Sequence, residues 1–225
     1  ITYKEIGAEF HYHPNYISKL MIQFTGTTLH KFLTDYRMNK AIALLQSTDY
    51  PIQTVAELSG IPDALVFSPA FIDELNPCIE KCIAHKGVSA LRYPRGGEWQ
   101  YDKTSYSEKN GVYYADYGTP EVCIITYGRL TAECDKAARL CGRGVRVIRL
   151  LRILPPDTDT VYSLSKDMKY VLFAEEGIRN GGVGEKLTAS LRKRGINADV
   201  AAIDGFAPHG TNADVLDTVG LSAKK

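Results

Sequence analysis

The sequence has no surplus of either charge and no long apolar run, and it is poor in cysteine. Lys and Arg number 27 against 26 Asp and Glu, for a formal net charge of +1. That balance removes any general electrostatic pull toward nucleic acid or an anionic membrane. No stretch approaches the roughly 20 apolar residues a bilayer span requires, so no membrane partner is expected. No basic-then-apolar leader precedes the first helical pattern, and a cytoplasmic setting is expected. The five cysteines, at 78, 82, 123, 134 and 141, are odd in number and scattered. Reduced thiols fit that pattern better than a disulfide frame. Cys78 and Cys82 share a face if their segment is helical, but a metal would need two more ligands and only His85 is near. No metal site is expected. What remains is an ordinary globular composition, 44% hydrophobic and 24% charged, in a 225-residue chain long enough for one large domain or two small ones.

The first 62 residues carry helical periodicity throughout. Thr2 to Phe10 reads as a short amphipathic helix with Ile6 and Phe10 on one face. His11-Tyr12-His13 is a turn, and Pro14 suits the first position of a second helix, where its missing N–H costs nothing. That helix, Asn15 to Phe24, is expected to bury Ile17, Leu20, Met21 and Phe24 and to expose Asn15, Tyr16, Ser18, Lys19 and Gln23. Two short helices around a tight turn, the second with a polar outer face, is the geometry that enters a major groove. A long helix follows from Leu29 to Leu45, with Phe32, Leu33, Tyr36, Met38, Ile42 and Leu45 at helical spacing. A last short helix begins after Pro51 and stops at Gly60.

The order of these elements, with Glu5-Ile6-Gly7, Tyr16-Ile17-Ser18-Lys19-Leu20, Gly26, Phe32-Leu33, Arg37-Met38-Asn39-Lys40-Ala41, Leu44-Leu45, Ile52-Gln53-Thr54-Val55-Ala56 and Gly60-Ile61-Pro62-Asp63, resembles the DNA-binding domain of the AraC family. The resemblance implies two helix-turn-helix units at the ends of a linking helix. It makes Asn15–Phe24 the first recognition helix, with Asn15, Tyr16, Ser18 and Lys19 as its DNA-facing residues. Arg37 falls in the linking helix, as a structural residue or a phosphate contact. The chain departs from the family where the second recognition helix should begin. It reads Ala64-Leu65-Val66-Phe67-Ser68-Pro69, lacks the expected basic residue and places Pro69 where it would break a helix at a cost of about 3 kcal/mol. The second unit is expected to be incomplete. The five cations Lys4, Lys19, Lys31, Arg37 and Lys40 are balanced by Glu5, Glu9, Asp35, Asp49 and Glu57, so DNA binding is expected to be weak.

From Asp63 onward the pattern changes. Val66 to Ala70, Asp73-Glu74-Leu75 and Ser89-Ala90-Leu91-Arg92-Tyr93-Pro94-Arg95-Gly96 read as strand, helix and strand. This string resembles the end of the pyrimidine-binding domain of 1-deoxy-D-xylulose-5-phosphate synthase, a transketolase relative. The resemblance gives Arg95 the role of holding a substrate phosphate, which the guanidinium fork suits. Residues 97–120 read as a linker on the surface. The continuous apolar run Val122–Tyr127 then reads as a strand covered on both faces. Helix Leu130–Leu140, strand Val145–Leu151, strand Tyr170–Gly177, helix Glu185–Lys193 and strand Asp199–Ile203 follow, an order that suggests a mostly parallel sheet. Glu175-Glu176-Gly177, Gly181-Gly182-Val183-Gly184, Gly205-Phe206 and Pro208-His209-Gly210 resemble the transketolase C-terminal domain.

The expected fold class is therefore α plus α/β: an all-helical module over 1–62, a remnant of the pyrimidine-binding domain plus linker over 63–120, and a three-layer transketolase C-terminal-like domain over 121–225. Gly181 to Gly184 reads as a packing turn rather than a phosphate loop, because the Walker and Rossmann contexts are missing. His209 reads as structural. Arg139, Arg143, Arg146, Arg149 and Arg152 read as a solvated or partner-facing edge. The synthase family uses thiamine diphosphate and Mg²⁺, held by a Gly-Asp-Gly string that this chain lacks. No catalytic residue and no cofactor held by this chain alone are expected. Two functions stay open. One is a DNA-binding regulator module fused to a non-catalytic domain that forms a homodimer through 121–225. The other is a fragment or subunit of the synthase, an enzyme of isoprenoid precursor synthesis, inactive by itself.

Overall fold

The computed structural model describes residues 1–48, 50, 52–61, 64–85, 87–94, 102–205 and 208–224, with the backbone alone at 52, 53 and 104. The chain divides into two compact units, Ile1–Pro62 and Asp63–Lys225.

The first unit is helical: α1 (Tyr3–Phe10), α2 (Pro14–Thr25), α3 (Leu29–Ser47) and α4 (Ile52–Leu58). Among the described residues its buried apolar side chains are Ile17, Leu29, Ala41 and Val55. The inner stripe of α3 is Leu29, Leu33, Arg37, Ala41 and Leu44, at spacings of four and three. Phe32, Tyr36, Met38, Ile42 and Leu45 flank that stripe and are exposed. Of the apolar residues read at helical spacing, Leu33 alone lies on that stripe. A helix that is apolar on several sides gives no clear answer from spacing alone. Phe24, expected to be buried, is 78% exposed at the end of α2.

The second unit holds two sheets. The smaller is built from β1 (Leu65–Phe67), β2 (Ser89–Leu91) and β7 (Arg152–Leu154), in the order β2-β1-β7, with α5 (Leu75–Ala84) between β1 and β2. β1 runs parallel to β2 and antiparallel to β7. Phe67, Cys78 and Leu151 form its core. The larger sheet has the order β3-β4-β6-β5-β8-β9. Its members are β3 (Ser107–Lys109), β4 (Val112–Tyr117), β5 (Val122–Tyr127), β6 (Val145–Leu150), β8 (Tyr170–Ile178) and β9 (Ala198–Ile203). β6, β5, β8 and β9 are parallel neighbours, and β4 is antiparallel to β6. Helices α6 (Thr131–Leu140), α7 (Thr158–Ser165), α8 (Val183–Lys193) and α9 (Asn212–Thr218) complete the unit.

Alternation along each strand divides the core between the two faces of the large sheet. Cys123, Ile125 and Tyr127 of β5 join Ile148 and Leu150 of β6, Val161 and Leu164 of α7 and Leu187 and Leu191 of α8. On the other face Val145 and Val147 of β6 meet Leu130, Cys134 and Ala138 at α6 and Leu216 of α9. The three-layer, mostly parallel architecture matches the expectation.

The strand, helix and strand over 65–91 are as read from the sequence, and β7 supplies β1 with the backbone partner that an unpaired edge lacks. Residues 107–117, expected within a linker, form the β3–β4 hairpin instead. Its turn is Asn110-Gly111, with φ of 52° and 76°, a pair suited to two-residue hairpin loops. Val112 and Ala115 of that hairpin are buried.

Candidate functional site

The first candidate surface is α2. Thr2 and Glu5 cap each other's backbone at the start of α1: Thr2 N–H donates to Glu5 Oε2 at 2.7 Å and Glu5 N–H to Thr2 Oγ1 at 3.2 Å. His11 adopts a left-handed φ of 57° and ends α1. The turn then passes so close to Gly7 that a Cβ there would lie 2.5 Å from the Tyr12 carbonyl oxygen. His13 caps α2, its Nδ1 accepting the Asn15 N–H at 3.2 Å, and Pro14 opens the first turn. The Tyr3 hydroxyl accepts the Leu29 N–H at 2.9 Å and ties α1 to the start of α3.

This frame holds Ile17 inward and leaves Asn15, Tyr16 and Lys19 exposed, with Ser18 half-buried. The Tyr16 ring packs against Tyr12 at 5.2 Å between centroids, so its position is set before any partner arrives. Arg37 is half-buried on α3. A Cβ on Gly60, whose φ is 73°, would sit 3.4 Å from Arg37 Nε. The guanidinium therefore packs where α3 meets the end of α4. Where the second recognition helix was expected, the described residues Leu65–Phe67 form strand β1, paired on both sides.

The second candidate region is the glycine loop before α8. Glu175 is 1% exposed on β8, and its carboxylate accepts the N–H groups of Val183 and Gly184, at 3.2 and 3.0 Å, and the Tyr127 hydroxyl at 2.7 Å. A Cβ on Gly182 would lie 2.3 Å from Glu175 Oε1, and one on Gly184 would lie 2.6 Å from Phe173 Cδ1. The loop is thus an anion cradle at a helix N-terminus, and the anion in it is the chain's own carboxylate. Burial first, and the Glu175 charge second, push the Tyr127 phenol far above its ordinary range.

Of the arginine run, Arg139, Arg143 and Arg152 are exposed, whereas Arg146 and Arg149 are turned to partners within the fold. Arg149 is 1% exposed and holds Glu74 through two bonds of 2.9 and 2.7 Å. Its guanidinium also stacks 4.2 Å from the ring of Tyr113, its partner across the β4–β6 ladder. Arg146 clasps Asp116, likewise directly opposite, at 2.6 and 2.7 Å. Arg139 bonds Asp135 on its own helix at 3.0 Å. β6 is an interior strand, so its arginines meet cross-strand partners rather than solvent.

Arg95, the expected phosphate contact, and Phe206 lie outside the described residues. His209 is exposed. All five cysteines are free thiols, and burial pushes the Cys78 thiol up to about 11 and that of Cys134 to about 12. Among the described residues no three His, Cys, Asp or Glu side chains converge as a metal site would require. The sequence holds no Gly-Asp-Gly string.

Comparison with known proteins finds two family matches along the chain. Residues 6–78 match the family model of a helix-turn-helix domain, and residues 114–225 match that of the transketolase C-terminal domain. The helix-turn-helix match runs past Pro62, over β1 and into α5, where the structure is no longer a helical bundle. The 1-deoxy-D-xylulose-5-phosphate synthase of Symbiobacterium thermophilum is 28% identical over 184 residues, covering 78% of this chain and 28% of the relative. That of Treponema pallidum is 30% identical over 175 residues, covering 74% and 28%. The chain thus spans under a third of the length of these relatives. Among solved structures, a split-gene transketolase described as an inactive beta4 tetramer aligns with a TM-score of 0.63 at 22% identity, over 72% of this chain and 55% of the other. Transketolase from Campylobacter jejuni aligns at 0.52 and 16% identity, over 80% and 28%. At such identities these two support the fold alone. The chain carries a helix-turn-helix domain of the AraC type followed by a transketolase C-terminal domain, and its α/β part is homologous to 1-deoxy-D-xylulose-5-phosphate synthase.

Proposed function

We propose that the first unit is a weak DNA-reading module and that the α/β unit is a non-catalytic assembly domain. The observation that carries this reading is the outer face of α2, where Asn15, Tyr16 and Lys19 are exposed on a helix capped at its first turn. Ser18 lies at the edge of that face. Lys19 supplies a phosphate or guanine contact, and Asn15 has the paired donor and acceptor that adenine requires. Arg37 acts by holding α3 against α4. The unit carries five cations and five carboxylates, so affinity rests on few phosphate contacts and falls steeply with salt. A homodimer through 121–225 brings two recognition helices into one particle and raises avidity.

Fluorescence anisotropy with duplex DNA at low salt tests this. Binding is expected, with Lys19→Ala and Asn15→Ala each weakening it by about 1–3 kcal/mol if they reach bases. No binding by the parent, or parental binding by both variants, would sink the DNA reading.

The match to the synthase over about three-quarters of the chain favours a second reading, a piece of a thiamine-diphosphate enzyme that is inactive alone. Calorimetry with thiamine diphosphate and Mg²⁺ is the direct test. No heat of binding is expected from this chain, and micromolar binding would show that it holds a cofactor site after all.

A further inference from the structure

The large sheet has a point where its connections diverge. β5 and β8 are parallel neighbours, but β5 leads through α6 to β6 on one side, and β8 leads through α8 to β9 on the other. Crevices form outside the carboxyl ends of two such strands, because no connection crosses the gap between them. A cavity of about 570 Å³ lies there, lined by Tyr127 and Gly128 after β5, Glu176 on β8 and Arg92 and Tyr93 after β2. Its volume is that of a metabolite rather than of a few waters.

The charges around it are uneven. Arg129 and Glu176 neutralise each other, with Arg129 Nε at 2.9 and 3.0 Å from the two carboxylate oxygens. Arg92 has no carboxylate partner among the described residues. Its guanidinium lies 5.0 Å from the centroid of the Tyr127 ring, and its NH2 donates to the Glu176 main-chain oxygen at 3.1 Å. A guanidinium fixed on a ring and a carbonyl keeps its charge and its remaining donors, and needs little ordering to receive an anion. The 3-10 turn Gly128–Leu130 opens onto the same cavity without a side-chain cap. Beside Arg92, the ring of Tyr93 is 70% exposed and lines the cavity next to Pro94. An anion-directed guanidinium and an uncovered aromatic ring on one wall suit a ligand that has a phosphate at one end and a planar ring at the other.

We infer that this crevice binds a small ring-bearing phosphate of the nucleoside monophosphate class, with Arg92 on the phosphate and Tyr93 against the base.

The test is calorimetric titration of the full chain with adenosine monophosphate, adenosine and inorganic phosphate at 0.15 M salt. The monophosphate is expected to bind at one site per chain, about tenfold or more tighter than either half alone. Arg92→Ala is expected to lose at least about tenfold for the monophosphate, and Arg92→Lys less, because it keeps the charge but not the fork. Tyr93→Ala is expected to weaken adenosine and the monophosphate but not phosphate. Tyr93 is exposed, so that variant keeps the test valid if removal of Arg92 disturbs folding. The inference is overturned if none of the three compounds binds, if phosphate alone binds as tightly as the monophosphate, or if Arg92→Ala and Tyr93→Ala both titrate like the parent.

Discussion

Arg149 and Glu74 show why residue type alone misleads at the smallest scale. Both are charged, and both are buried in a doubly hydrogen-bonded pair that ties β6 to the turn before α5. Glu74 Oε2 also accepts the Ala70 and Phe71 N–H groups at 3.0 and 3.3 Å. Arg149→Met would leave that carboxylate buried without its cation, at a cost of about 3–5 kcal/mol. Urea titration of the parent and the variant measures it, and a change below about 1 kcal/mol would deny the pair its role. The buried acids predict a second behaviour. The folded state raises the Tyr127 phenol far above its unfolded value of about 10, and the Cys78 thiol to about 11 against about 8.5 unfolded. A raised value means stability that is complete below the unfolded pKa and is lost as pH rises through and above it. Urea midpoints are therefore expected to fall from about pH 8.5 upward, by at most about 1.4 kcal/mol per pH unit for each such group. Tyr127→Phe should flatten the decline above pH 10. An equal slope in that variant would remove Tyr127 from the explanation.

At the scale of elements, two tight passages depend on glycine. In the helical unit, Gly7 lets the Tyr12 carbonyl approach the α1 axis and so sets the angle at which α2 leaves the turn. Gly7→Ala forces backbone apart and should cost about 1–3 kcal/mol. Because the turn aims α2, the variant should also weaken DNA binding more than its fold loss explains; anisotropy beside circular dichroism separates the two. In the α/β unit, the loop Gly181 to Gly184 has the residue types of a phosphate cradle and the opposite use, since Glu175 already fills it. The sequence shows a loop able to surround an anion. Only the placement of β8 beside the start of α8 shows which anion. The β3–β4 hairpin is a different lesson. Asn110-Gly111 lay in plain view, with Val112–Tyr117 after it. The abundance of tyrosine and charge around it suggested surface linker, yet an antiparallel strand that is covered on part of its surface tolerates that composition.

At the scale of the molecule, the two units differ in what holds them. Among the described residues of Ile1–Pro62 four apolar side chains are buried, whereas the α/β unit has two extended cores on the faces of a six-stranded sheet and a third beneath α5. A small helical unit with so little interior is marginal. Thermal or urea unfolding should therefore resolve two steps, the first removing helix signal from the N-terminal unit. A chain starting at residue 64 should keep only the second step. A single cooperative transition, unchanged by that truncation, would contradict the division. Limited proteolysis should spare 107–117 and 64–85, which the sheets enclose.

Local chemistry in the sequence was enough for the helical order of the first unit, the capped polar face of α2, the break in kind after Pro62 and the parallel strands β5, β6, β8 and β9. Caps, turns and uninterrupted apolar runs act between near neighbours, so their residues carry the information themselves. The partners of Arg146 and Arg149, the filling of the glycine loop by Glu175, the rescue of β1 by β7 and the crevice beside Arg92 were decided by the tertiary structure. Glu175 reaches over eight and nine residues to the start of α8, and the others join residues far apart in the chain, which only strand order and register bring together.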